Sequence, residues 1–447
     1  MATKANEPKI SAMPTKAFFV EMFTRDIPLE QAILDLVDNS VDGANKLKNE
    51  KGEALTQRWI KIQFGKSGFT IADNCGGFTK KAAIEYAFRF GRPAKEKGAK
   101  GSIGRFGVGM KRALFKFGPH FTVQSATPEE SWGVVVDVPT WENNDDDWSF
   151  PWKDEFEPKE DISKQKPGTE ITVAPLHKSV AETFSTTRFH QQIVHLIKSR
   201  HRSFIKDGLS IEVNDERVQS LDLFIVSGSG ITPSVWNHVF SEKGADDVTT
   251  RVIVGLGDSS PKNAGWYVIC NGRIILFADR RDVTGWGTIE ENAKTVIPAY
   301  HGQYARFRGV VSFDSDDSRR IPWNTMKTDV DQDHDIWRAA RAKMIEMMRP
   351  IITFLNELDK DVEEYSREKS PLFSVLKSAP KISFESIKKS QAFAAPDRES
   401  LDPVERQTKI QFYKNLDDVE YLKEITGLRS GAAIGSKAFD MFYERQR

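Results

Sequence analysis

LEQAILDLVDNSVDGANKLK, residues 29–48, carries Leu29, Ile33, Leu36, Val37, Val41 and Ala44 at helical spacing. Pro28 suits a first helical turn, and Asp26 can cap it. Asp35 and Asn39 stand four apart, so they share a face of that helix. A carboxylate there can orient a water, and an amide oxygen can ligate a hard cation such as Mg2+. An Asp/Asn pair on a helix is equally an ordinary solvated face, so its meaning depends on what surrounds it.

Outward from this helix, RWIKIQF (58–64) and GFTIAD (68–73) read as two strands closed by a glycine-containing turn. The second strand runs into ADNCGGF (72–78), where a carboxylate is followed by two glycines that free the backbone for close approach. An aspartate there can accept a hydrogen bond from an exocyclic amine; a plain turn has the same pattern. TKKAAIEYAFRF (79–90) reads as a helix capped by Thr79, and 91–109 as a loop. In GSIGRFGVGMKRALFKFG (101–118) four glycines precede a helix start whose first turn holds Lys111 and Arg112. Amides at a helix N-terminus flanked by cations cradle phosphate. The run is neither a P-loop nor a dinucleotide-binding fingerprint. Residues 121–126, 132–138 and 169–174 read as strands, the last beginning within KPGTEITV (166–173) at Thr169.

DLVDNSVDGA, DNCGGF, GRFGVGMK and PGTEITV follow one another in this order within about 140 residues. The set resembles the four-box signature of the GHKL ATPase superfamily, which includes the ATPase chain of DNA gyrase, the large heat-shock chaperones, MutL and sensor kinases. The resemblance spans residues 10–180 and implies an α/β fold, a Bergerat-type ATP-binding sandwich. It implies ATP and Mg2+ as cofactors. Asp35 falls where the family places its general base, usually a glutamate, and Asn39 falls on the Mg2+ ligand. Asp73 falls on the acceptor of the adenine amine, and Gly77 on the glycine lining the base pocket. Residues 91–103 match the ATP lid. Gly104, Arg105 and Phe106 lead into the phosphate-binding turn, matched by Gly107, Val108, Gly109, Met110 and Lys111. Thr169 falls on the threonine that supports adenine through a water. The chain departs from the pattern at Asp35, one methylene short, which bears on hydrolysis rate. It departs again at Cys75, which replaces a glycine.

The remainder resembles MORC and MutL-type ATPases. IPWNTMKTDVD (321–331) matches the MORC lysine loop through Asn324, Lys327 and Asp329, which implies an S5-like αβ transducer over 181–345 and a catalytic role for Lys327 at the γ-phosphate. An ordinary surface lysine remains open for that position. GLSIEVND, TRVIVGLG, GWYVICNG, RIILF and GVVSFD read as strands of this second sheet, and 184–206 and 333–365 as helices. Residues 346–404 read as a helical segment followed by a proline-bearing linker.

The tail, 405–447, reads strand, helix, helix. In TKIQFYK (408–414), Ile410 and Phe412 share one face of a strand, with Lys409, Gln411 and Tyr413 on the other. Val419, Leu422 and Ile425 follow at helical spacing, then Ser430 as a cap and Ile434, Ala438 and Phe442. The pattern resembles a ribbon-helix-helix dimerisation module, whose polar strand face reads DNA. A helical hairpin packed on the transducer or on a partner fits it as well.

At 447 residues the chain holds two or three domains. Lys plus Arg is 64 and Asp plus Glu is 64, which excludes binding driven by bulk charge. Lys80–Lys116 nevertheless holds 11 basic residues against 2 acidic, and Asp137–Asp161 holds 10 acidic against 2 basic. The acidic stretch reads as a surface loop. Cys75 and Cys270 support neither a disulfide framework nor a four-ligand zinc site, and they suit a reducing compartment. With no long apolar run and a polar N-terminus, the expectation is a cytoplasmic protein without a membrane partner. The resemblance implies a slowly hydrolysing ATPase that closes as an ATP-dependent homodimeric clamp, with DNA as its partner. A chaperone-like ATPase acting on protein clients, or a nucleotide-binding sensor or scaffold with negligible turnover, also stays open.

Overall fold

The computed structural model describes residues 14–89, 100–104, 109–144, 147–153, 156, 161–288, 297–365, 369–398 and 410–447. It divides into two compact units, residues up to 356 with 378–396, and residues 357–377 with 397–447.

The first unit opens with helices α1 (Lys16–Arg25) and α2 (Leu29–Lys51) and the hairpin β1 (Trp59–Phe64) and β2 (Phe69–Asp73). A short helix α3 (Lys80–Ala82) runs on as a π-turn over Ala83–Ala87. Then come α4 (Gly109–Phe117), β3 (His120–Ala126), β4 (Ser131–Asp137), α5 (Val138–Glu142) and β5 (Gly168–Val173). Helices α6 (Lys178–Phe184), α7 (Thr187–Arg200) and α8 (Arg202–Lys206) lead to β6 (Ser210–Val213) and β7 (Glu216–Arg217). The sheet order is β4-β3-β5-β2-β1-β6-β7. All its pairings are antiparallel except β1 with β6.

Period-two alternation turns Ile60, Ile62 and Phe64 of β1 inward while Lys61 and Gln63 face solvent. On β2 the same alternation buries Phe69, Ile71 and Asp73 together, so Asp73 is carried into the interior by register. The expected apolar stripe of α2 is in the core: Ile33, Leu36, Val37, Val41 and Ala44 are 1% exposed or less. Pro28 takes the position just before α2, and Asp26 ends α1 instead of capping α2.

GLSIEVND, expected in the second sheet, joins the first, because Ser210–Val213 pairs with Trp59–Ile62. The helix expected over 184–206 is broken at His201, whose buried ring is bonded elsewhere. The acidic stretch is more than a solvated loop. Trp141 is buried, Phe150 packs on Phe115 and Phe121, and Trp152 meets Trp132 edge to face at 5.6 Å. Two residues of the basic stretch serve α1: Arg112 Nε donates to Phe23 O (3.2 Å) and Lys116 Nζ to Thr24 O (3.0 Å), placing cations at its C-terminus.

The rest of this unit holds β8 (Phe224–Val226), β9 (Ser234–Phe240), β10 (Val248–Leu256), β11 (Gly265–Cys270), β12 (Arg273–Asp279) and β13 (Phe307–Asp314), then helix α9 (Asp335–Tyr365) as far as residue 356. Five strands form a sheet in the order β12-β11-β13-β10-β9, with β11 and β13 parallel. The expected linker is not one over 378–396. After α10 (Pro371–Ser378), β14 (Lys381–Ser383) pairs with β8, and Gln391 and Ala394 bridge to Val235 and Thr232. Phe384 and Ile387 join the core with Ile225, Val235, Ile253, Tyr267 and Val310. Prolines broke the sequence pattern, but the apolar residues between them found an uncovered sheet face.

In the second unit Asp361 is buried and bonded by Ser370, the Leu372 amide and Arg398. The tail carries α11 (Leu416–Thr426) and α12 (Gly431–Gln446), the latter capped by Ser430 as expected. Residues 410–415 form no strand; Ile410 and Phe412 are each 58% exposed. A strand needs a neighbouring edge to satisfy its amides, and no strand of the described residues pairs with this segment. Lys409 lies outside the described residues. No helix among those described is long and apolar enough to cross a membrane.

Candidate active site

Helix α2 presents Gln31, Asp35, Asp38 and Asp42 along one stripe at i, i+4, i+7 and i+11. Asp35 is buried; its Oδ1 accepts a hydrogen bond from Gln31 Nε2 at 2.9 Å and lies 3.8 Å from Lys327 Nζ. The other side of Asp35 abuts the start of α4: a Cβ built on Gly109 would come within 3.0 Å of Asp35 Oδ2. A glycine here lets the start of α4 approach the carboxylate closely, since a side chain would have to push Asp35 aside by a few tenths of an ångström. Burial raises the Asp35 carboxyl above its ordinary range, against the opposing pull of Lys327. Asn39, the expected Mg2+ ligand, is exposed one turn after Asp35 on α2, and its side chain has no hydrogen bond among the described residues.

Asp38 is fully buried and holds three partners. His201 Nε2 lies 2.9 Å from Oδ1, while Arg273 Nη1 (2.6 Å) and Lys327 Nζ (2.7 Å) meet Oδ2. Burial pushes this carboxyl up, but Arg273, Lys327 and His201 together hold it well below the usual carboxylate range. Burial lowers the pKa of His201, so its neutral ring carries the proton on Nε2 and donates it to Asp38. Lys327, expected to reach the nucleotide from the second sheet's segment, thus arrives among the carboxylates of α2. Its loop is a tight hairpin: Trp323 bridges Val330, Asn324 Oδ1 accepts from the Thr328 amide at 2.9 Å, and Arg281 clamps Asp329. Lys327 itself sits at φ +54. A non-glycine residue there costs roughly 1–3 kcal/mol, which the surrounding contacts must offset.

Asp42 accepts the amides of Ile103 (2.6 Å) and Gly104 (2.7 Å), and burial pushes its carboxyl up to about 6. Asn271, in the β11–β12 turn, grips the same segment by donating from Nδ2 to Ser102 O at 3.2 Å. Most of the expected ATP lid, 91–99, lies outside the described residues, as do Arg105, Phe106, Gly107 and Val108. Of the described turn residues, Met110 is buried and Lys111 is turned inward: its ammonium donates to Ala87 O at 2.7 Å.

Beneath α2, Asp73 Oδ2 accepts from Ser40 Oγ (2.6 Å) and Oδ1 from the Cys75 amide (2.9 Å). Burial raises its carboxyl as well. Gly77 adopts φ +62, and a Cβ there would fall 2.1 Å from Ala126 O, so the position admits glycine alone. Thr169 faces Asp73 across the β2–β5 pair. Its Oγ1 lies 3.1 Å from Ser125 Oγ, which also accepts the Phe78 amide at 2.9 Å. Asp73 and Gly77, four residues apart, and Thr169, far from both in sequence, therefore line one corner.

Sequence reading missed Asp38, Asp42, Ser40, His201 and Arg273 as members of the site. A signal existed for two of them. Asp38 and Asp42 fall on the same helical stripe as Asp35, next to an apolar face, where unpaired acids are costly. His201 and Arg273 had no local signal.

Residues 27–169 match the model of the family of histidine kinase-, DNA gyrase B- and HSP90-like ATPases, roughly a third of the chain. Comparison with curated proteins finds no match. The family match supports a GHKL-type, ATP-binding ATPase domain over this span, and the helix-covered antiparallel sheet fits a Bergerat-type α/β sandwich.

Proposed function

We propose that this chain is a Mg2+-dependent ATPase of MORC/MutL organisation, an ATP-gated homodimeric clamp acting on DNA. The observation that supports it most is Lys327, delivered by the hairpin after β13 to the carboxylates of the nucleotide helix. In this reading Asp73 accepts the adenine amine, with Gly77 and Thr169 shaping the base pocket. The exposed, unbonded amide of Asn39 suits a cation ligand. Mg2+, when bound, offsets phosphate charge. The stretch 104–111 is assigned to the phosphates, Asp35 polarises the attacking water, and Lys327 offsets charge developing at the γ-phosphate. DNA-stimulated ATP hydrolysis by the full chain is the deciding measurement: stimulation supports the clamp on DNA, and indifference to DNA returns the chain to the chaperone-like class.

A second reading, a nucleotide sensor with negligible turnover, is favoured by one feature. The short Asp35 side chain is already engaged by Gln31 and neighboured by Lys327.

Lys327→Ala should leave ADP binding intact and weaken ATP-dependent closure, followed by crosslinking or scattering. Equal closure in parent and variant returns Lys327 to the class of structural lysines.

The tail is assigned to oligomerisation. Helices α11 and α12 contain no buried residue, yet they expose Tyr421, Ile425, Phe439, Met441 and Phe442. Apolar surface of this kind calls for a partner, and a second copy supplies one. Deleting 405–447 should lower the ATP-free mass by ultracentrifugation while sparing ATP binding; unchanged mass refutes the assignment.

A further inference from the structure

We propose that Asp38 is the positioning residue for Lys327: it receives the lysine on the nucleotide helix and fixes its ammonium beside Asp35. The proposal rests on the ATPase reading above and adds a residue to it. The lysine's shorter contact is with Asp38, 2.7 Å, against 3.8 Å to Asp35. Asp38 rather than the base thus sets where the charge sits.

Asp38 can do so because it is itself held rigidly. Arg273, from the first residue of β12, shares Oδ2 at 2.6 Å, and His201, at the break between α7 and α8, takes Oδ1 at 2.9 Å. The Asp38, His201 and Arg273 side chains are 0–1% exposed, so water does not compete for their bonds. Other charged groups face the cluster: Asp35 and Asp42 on α2 and Arg200 at the end of α7. If Asp38 is neutralised, Arg273 and Lys327 lose the carboxylate they share, and the lysine is drawn towards Asp35 or out of the site. The unusual backbone at Lys327 fits this role, since its left-handed turn aims one side chain out of a hairpin otherwise pinned by Arg281.

The test is a double-mutant cycle in the full chain, with ATP turnover, ATP calorimetry and melting temperature read for Asp38→Asn, Lys327→Gln and the pair. Asp38→Asn should cut kcat by ~10²-fold with KM for ATP little changed, the scale expected when a reacting group is misplaced by about 1 Å. The double variant should be no slower than Lys327→Gln alone, because the carboxylate acts only through the lysine. Losses that multiply, or a folded Asp38→Asn with parental kcat, overturn the proposal. If Asp38→Asn does not fold, Asp38→Glu carries the cycle. Its longer arm shifts the ammonium, so Lys327→Gln should cost less in that background than in the parent, and an equal cost overturns the proposal. A parent chain that binds no ATP overturns the ATPase reading and this inference together. A parent that binds and hydrolyses ATP confines any failure to Asp38.

Discussion

Asp73→Asn is expected to lower ATP affinity by at least ~100-fold while leaving the chain folded. The substitution keeps the shape of the side chain but replaces one acceptor with a donor. Both carboxylate oxygens already accept, one from Ser40 and one from the Cys75 amide. A carboxylate has lone pairs to spare for a third donor, the adenine amine. An amide keeps only one oxygen to accept: its NH2 can be matched by Ser40 Oγ but opposes the Cys75 amide or the adenine amine as donor against donor. An unpaired buried donor costs about 1–3 kcal/mol, and a site built for one hydrogen-bond pattern discriminates more strongly still. Calorimetry with ATP gives the outcome directly, and unchanged affinity would remove Asp73 from the base pocket. A parallel titration with GTP separates loss of base recognition from general collapse, because collapse weakens both nucleotides.

The second large effect is expected at Asp35. Asp35→Asn should bind ATP and lose ~10²–10⁴-fold in turnover, the usual contribution of a general base. The Gln31 contact survives, since the amide oxygen can still accept from Gln31 Nε2. The parent's pH profile gives an independent reading. Burial raises the Asp35 carboxyl, so it takes up its proton at a higher pH than a free aspartate. Turnover should therefore fall on acidification at a pH above 3.8, the ordinary aspartate value, and Lys327→Gln should move that limb higher, because it removes the charge that favours the carboxylate. Asp35→Glu restores the reach usual in the family, but Gly109 lies close enough to Asp35 Oδ2 that the added methylene must displace the start of α4 or swing aside. A parental rate in Asp35→Asn would place the base elsewhere, with Glu30 or Asp38 the nearest acids on the helix, or show that hydrolysis is not what this site does.

The tail and the segment after α9 show how local pattern and tertiary context divide the work. The alternation in TKIQFYK was strand-like, but a lone strand has nothing to bond with, and 410–415 are not a strand. Residues 378–396 looked like linker because Pro380 and Pro396 punctuate them. What decided their place was an exposed sheet face that Phe384 and Ile387 could cover.

Sequence by itself determined the parts whose cause is local. The α2 stripe, the hairpin that carries Asp73 inward, the glycine at position 77 and the start of α4 at Gly109 all follow from periodicity and backbone freedom, and the structure has them where spacing put them. Tertiary structure alone decided the company those residues keep. Asp38 meets His201, Arg273 and Lys327 across sequence separations of 163, 235 and 289 residues. The sheet takes in β6 because its apolar alternate residues fit beside β1. No window of the chain contains both members of such a pair. Each contact offsets its ordering cost only once the rest of the core has brought its two ends together, so it is a property of the assembled fold and of no segment within it.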